Sequence, residues 1–195
     1  STTSIIRTTN QTNAYITIQR VKIQNGQATG VRLGSLLSKI DGYFNLIDIE
    51  FYNTANNTRS MDADGNIYYL NADNGWLFHL TSHHSMGHCI KMGDGADNET
   101  VEWTIAYECG YWTGIAAEKG ITNWGISPGT HPSGIDLPSD SGQDAQNYKV
   151  RYNIIYDTLF YGMQLRNTSN FSVHHNEIYN TPHFDDIPGV SSGAS

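Results

Sequence analysis

The segment QNYKVRYNIIYDTLFYGMQLRNTS (residues 146–169) is followed at once by a shorter copy of itself, NFSVHHNEIYNT (residues 170–181). When the two are aligned, Tyr148, Val150, Ile155 and Asp157 coincide with Phe171, Val173, Ile178 and Asn180. Apolar residues two positions apart are typical of a strand with one buried face, and the Asp or Asn that follows favours a tight turn. The repeat distance of about 23 residues indicates a solenoid, in which each unit buries its apolar face only by stacking on its neighbours.

The same unit recurs from the beginning of the chain. Segment 13–26 aligns with segment 43–54, and the aligned pairs are Ile16 with Phe44, Ile18 with Leu46, Val21 with Ile49, Ile23 with Phe51 and Asn25 with Asn53. Trp76–Phe78 and Val101–Trp103 begin further copies. A second short strand follows each first one, often after a glycine, at residues 30–33, 67–69, 90–92, 114–116, 134–137 and 162–165. Helices of roughly ten residues have no room between these strands.

These repeats predict an all-β chain, a single-stranded right-handed parallel β-helix of about seven rungs, in one domain that covers residues 1–195. The proline-containing segment 121–145 is expected to form an irregular loop or rung. The expected core consists of Ile16, Ile18, Leu46, Phe78, Trp103, Ile115, Val150, Met163, Leu165 and Val173. A β-sandwich is the structural alternative, but a period of about 23–25 residues does not suit its hairpins.

Composition narrows the classes of function. Charged residues make up only 15% of the chain and aromatic residues 11%, a balance that favours strands and turns over helices. The formal net charge is −8 and no basic run is present, so nucleic acid is not an expected partner. No segment approaches the roughly 18 consecutive apolar residues of a membrane span. A signal peptide is absent or already removed, because no charged start precedes an apolar run.

Cysteines and glycosylation sequons bear on the compartment. Cys89 and Cys109 lack the spacing of a metal motif, and either one disulfide or two buried thiols fits them. Candidate glycosylation sites of the form N-x-S/T occur at Asn10, Asn56, Asn98, Asn167 and Asn170. We therefore expect a secreted or cell-surface protein.

In its period and its turn asparagines, nearly the whole chain resembles the right-handed parallel β-helix superfamily of pectate lyases, polygalacturonases, alginate and chondroitin lyases and phage tailspikes. Members of this superfamily bind polysaccharide along an outward row of strand residues. With Val31, Ile90 and Ile135 pointing inward, Ala116 would join that row here. The residues of the row that we expect to bind substrate are Arg32, Tyr68, Lys91, Asp136 and Gln164.

Three short stretches are similar to motifs of the chondroitinase B/alginate lyase family. They are Ile90-Lys91-Met92-Gly93, Ile115-Ala116-Ala117-Glu118-Lys119 and Gln164-Leu165-Arg166-Asn167. The resemblance implies that Lys119 abstracts a proton next to the uronate carboxylate and that Arg166 assists the leaving group, a role for which the pKa of the lysine must be lowered. Gly114 stands where that family has a calcium-binding Glu.

A second resemblance points to polygalacturonases. Asp62-Ala63-Asp64-Gly65 precedes Gly87-His88-Cys89-Ile90 by one coil, in the order that family uses. Inverting hydrolysis needs two carboxyl groups far enough apart to hold a water molecule. A polygalacturonase-like glycoside hydrolase is therefore an alternative to the lyase.

Calcium sites are predicted at two stretches, and a zinc site is an alternative use of a cluster of histidines. The stretches around Asp62 and Asp64, and around Asp94 and Asp97, resemble parts of calcium loops, so Ca²⁺ is the candidate cofactor. Histidines concentrate in the third coil, at His79, His83, His84 and His88. Their spacing does not place them on one face of a strand, but stacking of rungs would bring two of them together in a zinc site.

The leading functional hypothesis is an extracellular β-helix that engages an acidic polysaccharide and cleaves it by β-elimination. The alternative is a non-catalytic structural, adhesive or filament-forming solenoid. Ile5 and Val190 each lie about one rung from the neighbouring repeats, and no polar capping repeat precedes or follows them. We therefore expect a segment of a longer solenoid, or copies that stack end to end.

Overall fold

The computed structural model describes residues 5–7, 14–26, 29–34, 42–54, 65–70, 73–85, 87–93, 95–110, 133–137, 145–158, 161–165 and 168–181. Within these ranges the chain forms strands β1–β20 and no helix. A helix long and apolar enough to cross a membrane is accordingly not found among them.

Three six-stranded sheets make up the fold. Sheet A contains, in spatial order, β1 (Ile6–Arg7), β4 (Val31–Gly34), β7 (Gly65–Leu70), β10 (His88–Gly93), β13 (Ser133–Leu137) and β17 (Tyr161–Leu165). Sheet B contains β2 (Ala14–Gln19), β5 (Gly42–Ile47), β8 (Gly75–Phe78), β11 (Thr100–Glu102), β15 (Lys149–Arg151) and β19 (Ser172–His174). Sheet C contains β3 (Lys22–Gln24), β6 (Glu50–Tyr52), β9 (Thr81–Ser85), β12 (Ile105–Cys109), β16 (Ile154–Tyr156) and β20 (Glu177–Tyr179). Two further strands, β14 (Ala145–Gln146) and β18 (Thr168–Ser169), pair with each other.

Each rung passes through sheet B, then sheet C, then sheet A, and the paired strands run parallel. The predicted all-β, right-handed parallel β-helix is thereby confirmed, with about six rungs among the described residues. The predicted strand at residues 114–116 lies outside the described residues. Because β10 pairs directly with β13, the ladder of sheet A passes from Lys91 to Asp136 without Ala116, which accounts for the smaller number of rungs.

The register confirms the alignments of 146–169 with 170–181 and of 13–26 with 43–54. The copies that begin at Trp76 and Val101 are offset by one residue, because Val101 pairs with Leu77. Val150 pairs with Val173 and Ile155 with Ile178, as the repeat at 146–181 requires. The offset between β2 and β5 likewise pairs Ile16 with Phe44. Inward positions of successive rungs therefore stack on one another and form a continuous core along the axis.

Five residues of the predicted core are confirmed, and Ile115 lies outside the described residues. Leu46 and Val150 are fully buried, and Ile16, Ile18 and Met163 pack against the core. Phe78 and Trp103 were assigned wrongly. Leu77, which pairs with Leu46 and Val101, points inward, so Phe78 faces outward. Trp103 is 53% exposed at a corner, and Leu165 and Val173 are also exposed in the last two rungs.

Residues with positive φ mark the corners of the solenoid. Between sheets B and C they are Arg20, Asp48, His79, Trp103, Tyr152 and His175, with φ of 53–58°. Between sheets C and A they are Asn25, Asn53, His84, Glu108, Asp157 and Asn180, with φ of 48–59°. Asn and Asp tolerate this left-handed conformation best among non-glycine residues. The C–A corner column keeps Asn or Asp except at His84 and Glu108.

Cys89 and Cys109 form a disulfide, which decides between the two alternatives that the sequence left open. It joins β10 of sheet A to β12 of sheet C, with the Cα atoms 5.3 Å apart and both side chains buried. A covalent link therefore connects the third and fourth rungs directly beside the C–A corner.

Candidate functional site

The residues predicted to bind substrate lie in one row of sheet A. The register aligns Arg32 with Tyr68, Tyr68 with Lys91, Lys91 with Asp136 and Asp136 with Gln164. Successive members are therefore separated by the spacing of neighbouring strands, about 4.8 Å.

The centre of this row is closed to solvent. Lys91 is 4% exposed and Asp136 is fully buried. Nε2 of His88 lies 3.5 Å from Oδ2 of Asp136, and the backbone N–H of Ser133 donates to Nδ1 of His88 over 3.1 Å. Because Nδ1 accepts that bond, the proton of a neutral His88 ring is on Nε2, which faces the carboxylate. At β10 and β13 the row is a buried polar network, whereas Arg32 and Gln164, at the two ends of the row, are half-buried.

Other predicted site residues lie outside the described residues: Lys119, Arg166, Asp62, Asp64, Asp94, Asn10, Asn56 and Asn167. Asp97 is described, and it connects three rungs. Its Oδ1 accepts a bond from the backbone N–H of Gln146, and its own N–H donates to Oδ1 of Asp73, each over 3.0 Å. The calcium site remains a prediction.

Two glycosylation sequons are described, at Asn98 and Asn170, and both residues are exposed with positive φ. Nδ2 of Asn98 donates to Oδ1 of Asn74 over 3.1 Å, and Nδ2 of Asn147 donates to Oδ1 of Asn98 over 3.0 Å. The Asn98 amide, to which a glycan would be attached, is therefore part of an asparagine ladder along the corner between sheets A and B.

Glu99 is a buried acid that the sequence reasoning missed. The register places it between Gly75 and Tyr148 on the inward face of sheet B, and it is fully buried. Burial raises the pKa of its carboxyl well above the usual range; the backbone N–H of Gly75 opposes this rise, and Asp73 and Asp97 add to it. Glu99 is therefore a neutral acid in the core under conditions where exposed carboxylates are ionised.

Aromatic rings follow the corner between sheets B and C. Trp103 stacks on Tyr152 with ring centroids 4.7 Å apart, and Tyr152 stacks on His175 at 5.1 Å. The guanidinium carbon of Arg151 lies 5.9 Å from the centre of the Tyr152 ring. This corner therefore presents exposed rings together with a cation.

The outer face of sheet B continues this surface. Nε1 of Trp76 donates to Oε1 of Glu102 over 2.8 Å, and Nε of Arg151 donates to Oε2 of the same carboxylate over 2.6 Å. Lys149 is exposed at the start of β15, the strand that ends at Arg151. In sheet B it is aligned with Thr100 and, one strand further, with Trp76. We call Trp76, Trp103, Lys149, Arg151 and Tyr152 the sheet-B face.

A third set of rings forms a continuous stack on sheet C. Tyr52, His83, Tyr107, Tyr156 and Tyr179 follow one another at centroid distances of 4.6–5.2 Å, and the last three rings are parallel within 3°. Tyr52 is tilted by 41° against His83, but from His83 onward neighbouring rings cover each other's faces, so this part offers mainly ring edges and hydroxyl groups to solvent. Its principal role is to stabilise the rungs.

Two of the four clustered histidines are brought together. His83, His84 and Glu108 place one ligand atom each within 4.8 Å of one another. His79 instead pairs with Asp48, and His88 lies against Asp136 on sheet A. The extended repeat contains the signal for this cluster, because the offset that aligns His83 with Tyr107 also places Glu108 beside His84.

No protein-family model, no curated protein and no solved structure matches this chain. The three parallel sheets define its architecture as a parallel β-helix. Its function has to be inferred from the arrangement of its own side chains.

Proposed function

We propose that the protein is an extracellular β-helix that binds an acidic polysaccharide along the sheet-B face. The observation that carries this proposal is the pair of exposed, stacked rings Trp103 and Tyr152, with Arg151 beside the Tyr152 ring and the exposed Lys149 on the same strand as Arg151. Aromatic rings supply apolar faces on which sugar rings stack, and Arg and Lys pair with uronate or sulfate groups.

The arrangement of these residues suits an extended chain. The side chains come from successive rungs, so the surface runs parallel to the solenoid axis with a regular spacing of about 4.8 Å per strand. The Glu102 carboxylate binds both Trp76 and Arg151, which holds two members of the face in fixed positions before a ligand arrives. Preorganised side chains lose little conformational entropy on binding.

Two further observations support the class of partner and the compartment. The architecture resembles the pectate lyase-like superfamily, many of whose members act on acidic polysaccharides. A buried disulfide is typical of proteins that fold in an oxidising, extracellular environment. The net charge of −8 opposes a polyanion at long range, so we expect binding to depend on the local contacts with Arg151 and Lys149.

Cleavage by β-elimination is the second part of this proposal, with Lys119 as the base and Arg166 as the group that assists departure. It is tested separately, by following the ultraviolet absorbance of the unsaturated product with alginate, polygalacturonate and chondroitin sulfate, with and without Ca²⁺. We expect product formation that is lost in Lys119→Ala. Binding without product would identify a non-catalytic polysaccharide-binding solenoid instead. Full activity of Lys119→Ala would show that Lys119 is not the base.

Binding is tested by calorimetric titration with oligosaccharides of the three acidic glycans and with dextran as a neutral comparison. We expect Trp103→Ala to weaken acidic-glycan binding about tenfold or more, equivalent to about 1.4 kcal/mol. Lys149→Gln should weaken binding of the acidic glycans while leaving any binding of dextran unchanged. Tyr15→Ala is the matched control. Tyr15 is also an exposed ring of sheet B, 80% exposed and stacked on Tyr43, but neither tyrosine is among the five residues of the sheet-B face. An equal loss in Tyr15→Ala, or none in Trp103→Ala, would refute this assignment.

A further inference from the structure

The cluster of His83, His84 and Glu108 lies at the corner between sheets C and A. Nδ1 of His83 is 2.7 Å from Nδ1 of His84, and Nδ1 of His84 is 2.7 Å from Oε2 of Glu108. The three atoms lie within 4.8 Å of one another. His83 is buried, whereas His84 and Glu108 are partly exposed, so the cluster is accessible from solvent on one side.

The solenoid register produces this convergence. His83 is in β9 and aligns with Tyr107 in β12, and their rings stack with centroids 4.6 Å apart. The next residue of each rung, His84 or Glu108, has a positive φ and occupies the corner column. Two imidazoles from one rung therefore meet a carboxylate from the next rung.

A second carboxylate faces the other ring nitrogen of the buried imidazole. Nε2 of His83 lies 3.5 Å from Oε1 of Glu50, and the same oxygen accepts a bond from Nζ of Lys22 over 2.7 Å. A neutral His83 ring with its proton on Nε2 points its Nδ1 lone pair into the cluster. Histidines that bind metals are typically held in this way, with the other ring nitrogen donating to a carboxylate.

The cluster contains more acceptors than protons. With the His83 proton on Nε2, one proton on Nδ1 of His84 can serve either His83 or Glu108, but not both. Oε2 of Glu108 is shielded from solvent and receives no hydrogen bond of acceptable geometry from any described residue, although His84 is 2.7 Å away. A cation at the centre would satisfy all three atoms at once.

We propose that His83, His84 and Glu108 form a binding site for a divalent transition-metal ion of the zinc class. Two imidazole nitrogens and one carboxylate oxygen are a ligand set that suits Zn²⁺, and three protein ligands leave one position for water or another ligand. Bond lengths of about 2.0–2.2 Å place tetrahedral ligands roughly 3.3–3.5 Å apart, so the two short contacts open slightly on binding. The ion links the third and fourth rungs next to the disulfide.

The experiment uses the oxidised 195-residue chain after treatment with a chelator and dialysis. Zn²⁺ is titrated calorimetrically, and Co²⁺ is titrated as a spectroscopic probe of ligand number and geometry. We expect one equivalent to bind, with visible Co²⁺ bands of a four-coordinate site. We also expect His84→Asn and Glu108→Gln each to weaken Zn²⁺ binding by more than the roughly 10- to 100-fold that the loss of a supporting residue costs.

His175→Asn is the matched control. It makes the same substitution at another positive-φ corner residue that follows a histidine, and it should leave the affinity unchanged. Circular dichroism and an intact disulfide establish that each variant is folded, and Glu108→Gln decides the result if His84→Asn does not fold. The proposal is overturned if the wild type binds Zn²⁺ no more tightly than Glu108→Gln does, or if His175→Asn reduces the affinity as much as His84→Asn.

Discussion

Two pairs of adjacent histidines, His83–His84 and His174–His175, have almost the same local geometry in different regions of the molecule. In both pairs the Nδ1 atoms are 2.7 Å apart and the ring centroids 4.9 Å apart. In both, the first histidine is part of a strand, and the second has a positive φ. A short contact between the two rings is therefore a consequence of the strand-to-corner geometry and does not by itself indicate a metal site.

The two pairs differ in what the neighbouring rungs place beside them. The pair in the third rung meets Glu108 from the fourth rung and Glu50 from the second. The pair in the sixth rung meets Tyr152, and the cation Arg151 is in register with His174. Local sequence thus makes a pair of imidazoles, and the stacking of rungs decides whether carboxylates complete a site.

The largest expected effect concerns the covalent link next to the first pair. The disulfide joins residues 20 positions apart, and closure of a loop of this size stabilises by about 3 kcal/mol. We expect the free energy of unfolding of the double variant Cys89→Ser/Cys109→Ser, measured by urea denaturation, to be lower by that amount. We also expect it to bind Zn²⁺ more weakly, because the rungs that carry the ligands are less constrained. An unfolding midpoint equal to that of His175→Asn, a variant that keeps the disulfide, would contradict this prediction.

A second effect concerns Glu99, the buried acid that directly precedes β11. The pKa of Glu99 is raised in the folded state, so the folded protein holds its proton more tightly than the unfolded chain does. The stability associated with this proton is fully present below the ordinary value of 4.5 and is lost as pH rises towards the folded-state pKa. We expect Glu99→Gln to abolish this loss and to be more stable than the wild type at mildly alkaline pH, by on the order of 1–3 kcal/mol. Urea unfolding across a pH series measures it, and parallel curves for the two proteins would show that Glu99 does not titrate as proposed.

A third prediction tests Glu50, whose carboxylate faces Nε2 of His83. Replacing the supporting partner of a metal-bound histidine typically weakens metal binding about 10- to 100-fold, and the 3.5 Å separation here favours the lower end. Glu50→Gln should therefore reduce Zn²⁺ affinity about tenfold. Glu177→Gln is the control, because Glu177 occupies the same column of sheet C in the sixth rung. Equal affinities for the two variants would remove Glu50 from the site.

The smallest expected effect is a gain of Zn²⁺ binding at the second histidine pair, His174 and His175. Tyr152 stacks on His175, so Tyr152→Glu places a carboxylate in the rung next to that histidine, as Glu108 is next to His84. We expect a second equivalent of Zn²⁺ to bind, more weakly than the first because Arg151 is nearby. The same titration in Tyr152→Glu/His175→Asn should show only the first equivalent. If Tyr152→Glu gains nothing, a neighbouring carboxylate is not what separates the two pairs.

The sequence predicted those parts of the fold that depend on local alternation and on the repeat offset. Ile16, Val150 and Ile178 could be aligned correctly because apolar residues two apart and a following Asn or Asp recur in every copy. Trp103 was misplaced because residues other than Asn and Asp also occupy the left-handed corner between sheets B and C. Alternation alone put its side chain in the core.

The two candidate sites depend on different physical features, and only one of these features can be derived from the repeat. The burial of Lys91 and Asp136 depends on how the outer face of sheet A is covered, which strand periodicity does not encode. The contact of His84 with Glu108 depends on the offset between the third and fourth rungs. That offset can be read from Trp76 and Thr100, which pair in sheet B, so this cluster was within reach of the sequence.

The most direct test of the central claim is anomalous X-ray diffraction at the zinc edge from crystals of the wild-type protein grown with Zn²⁺. We predict one strong anomalous peak within bonding distance, about 2.0–2.2 Å, of Nδ1 of His83, Nδ1 of His84 and Oε2 of Glu108, and no peak at His174 and His175. A peak at His174 and His175 of equal height, or an empty cluster at His83, His84 and Glu108 in crystals saturated with Zn²⁺, would contradict the claim that rung stacking makes one histidine pair a metal site and not the other.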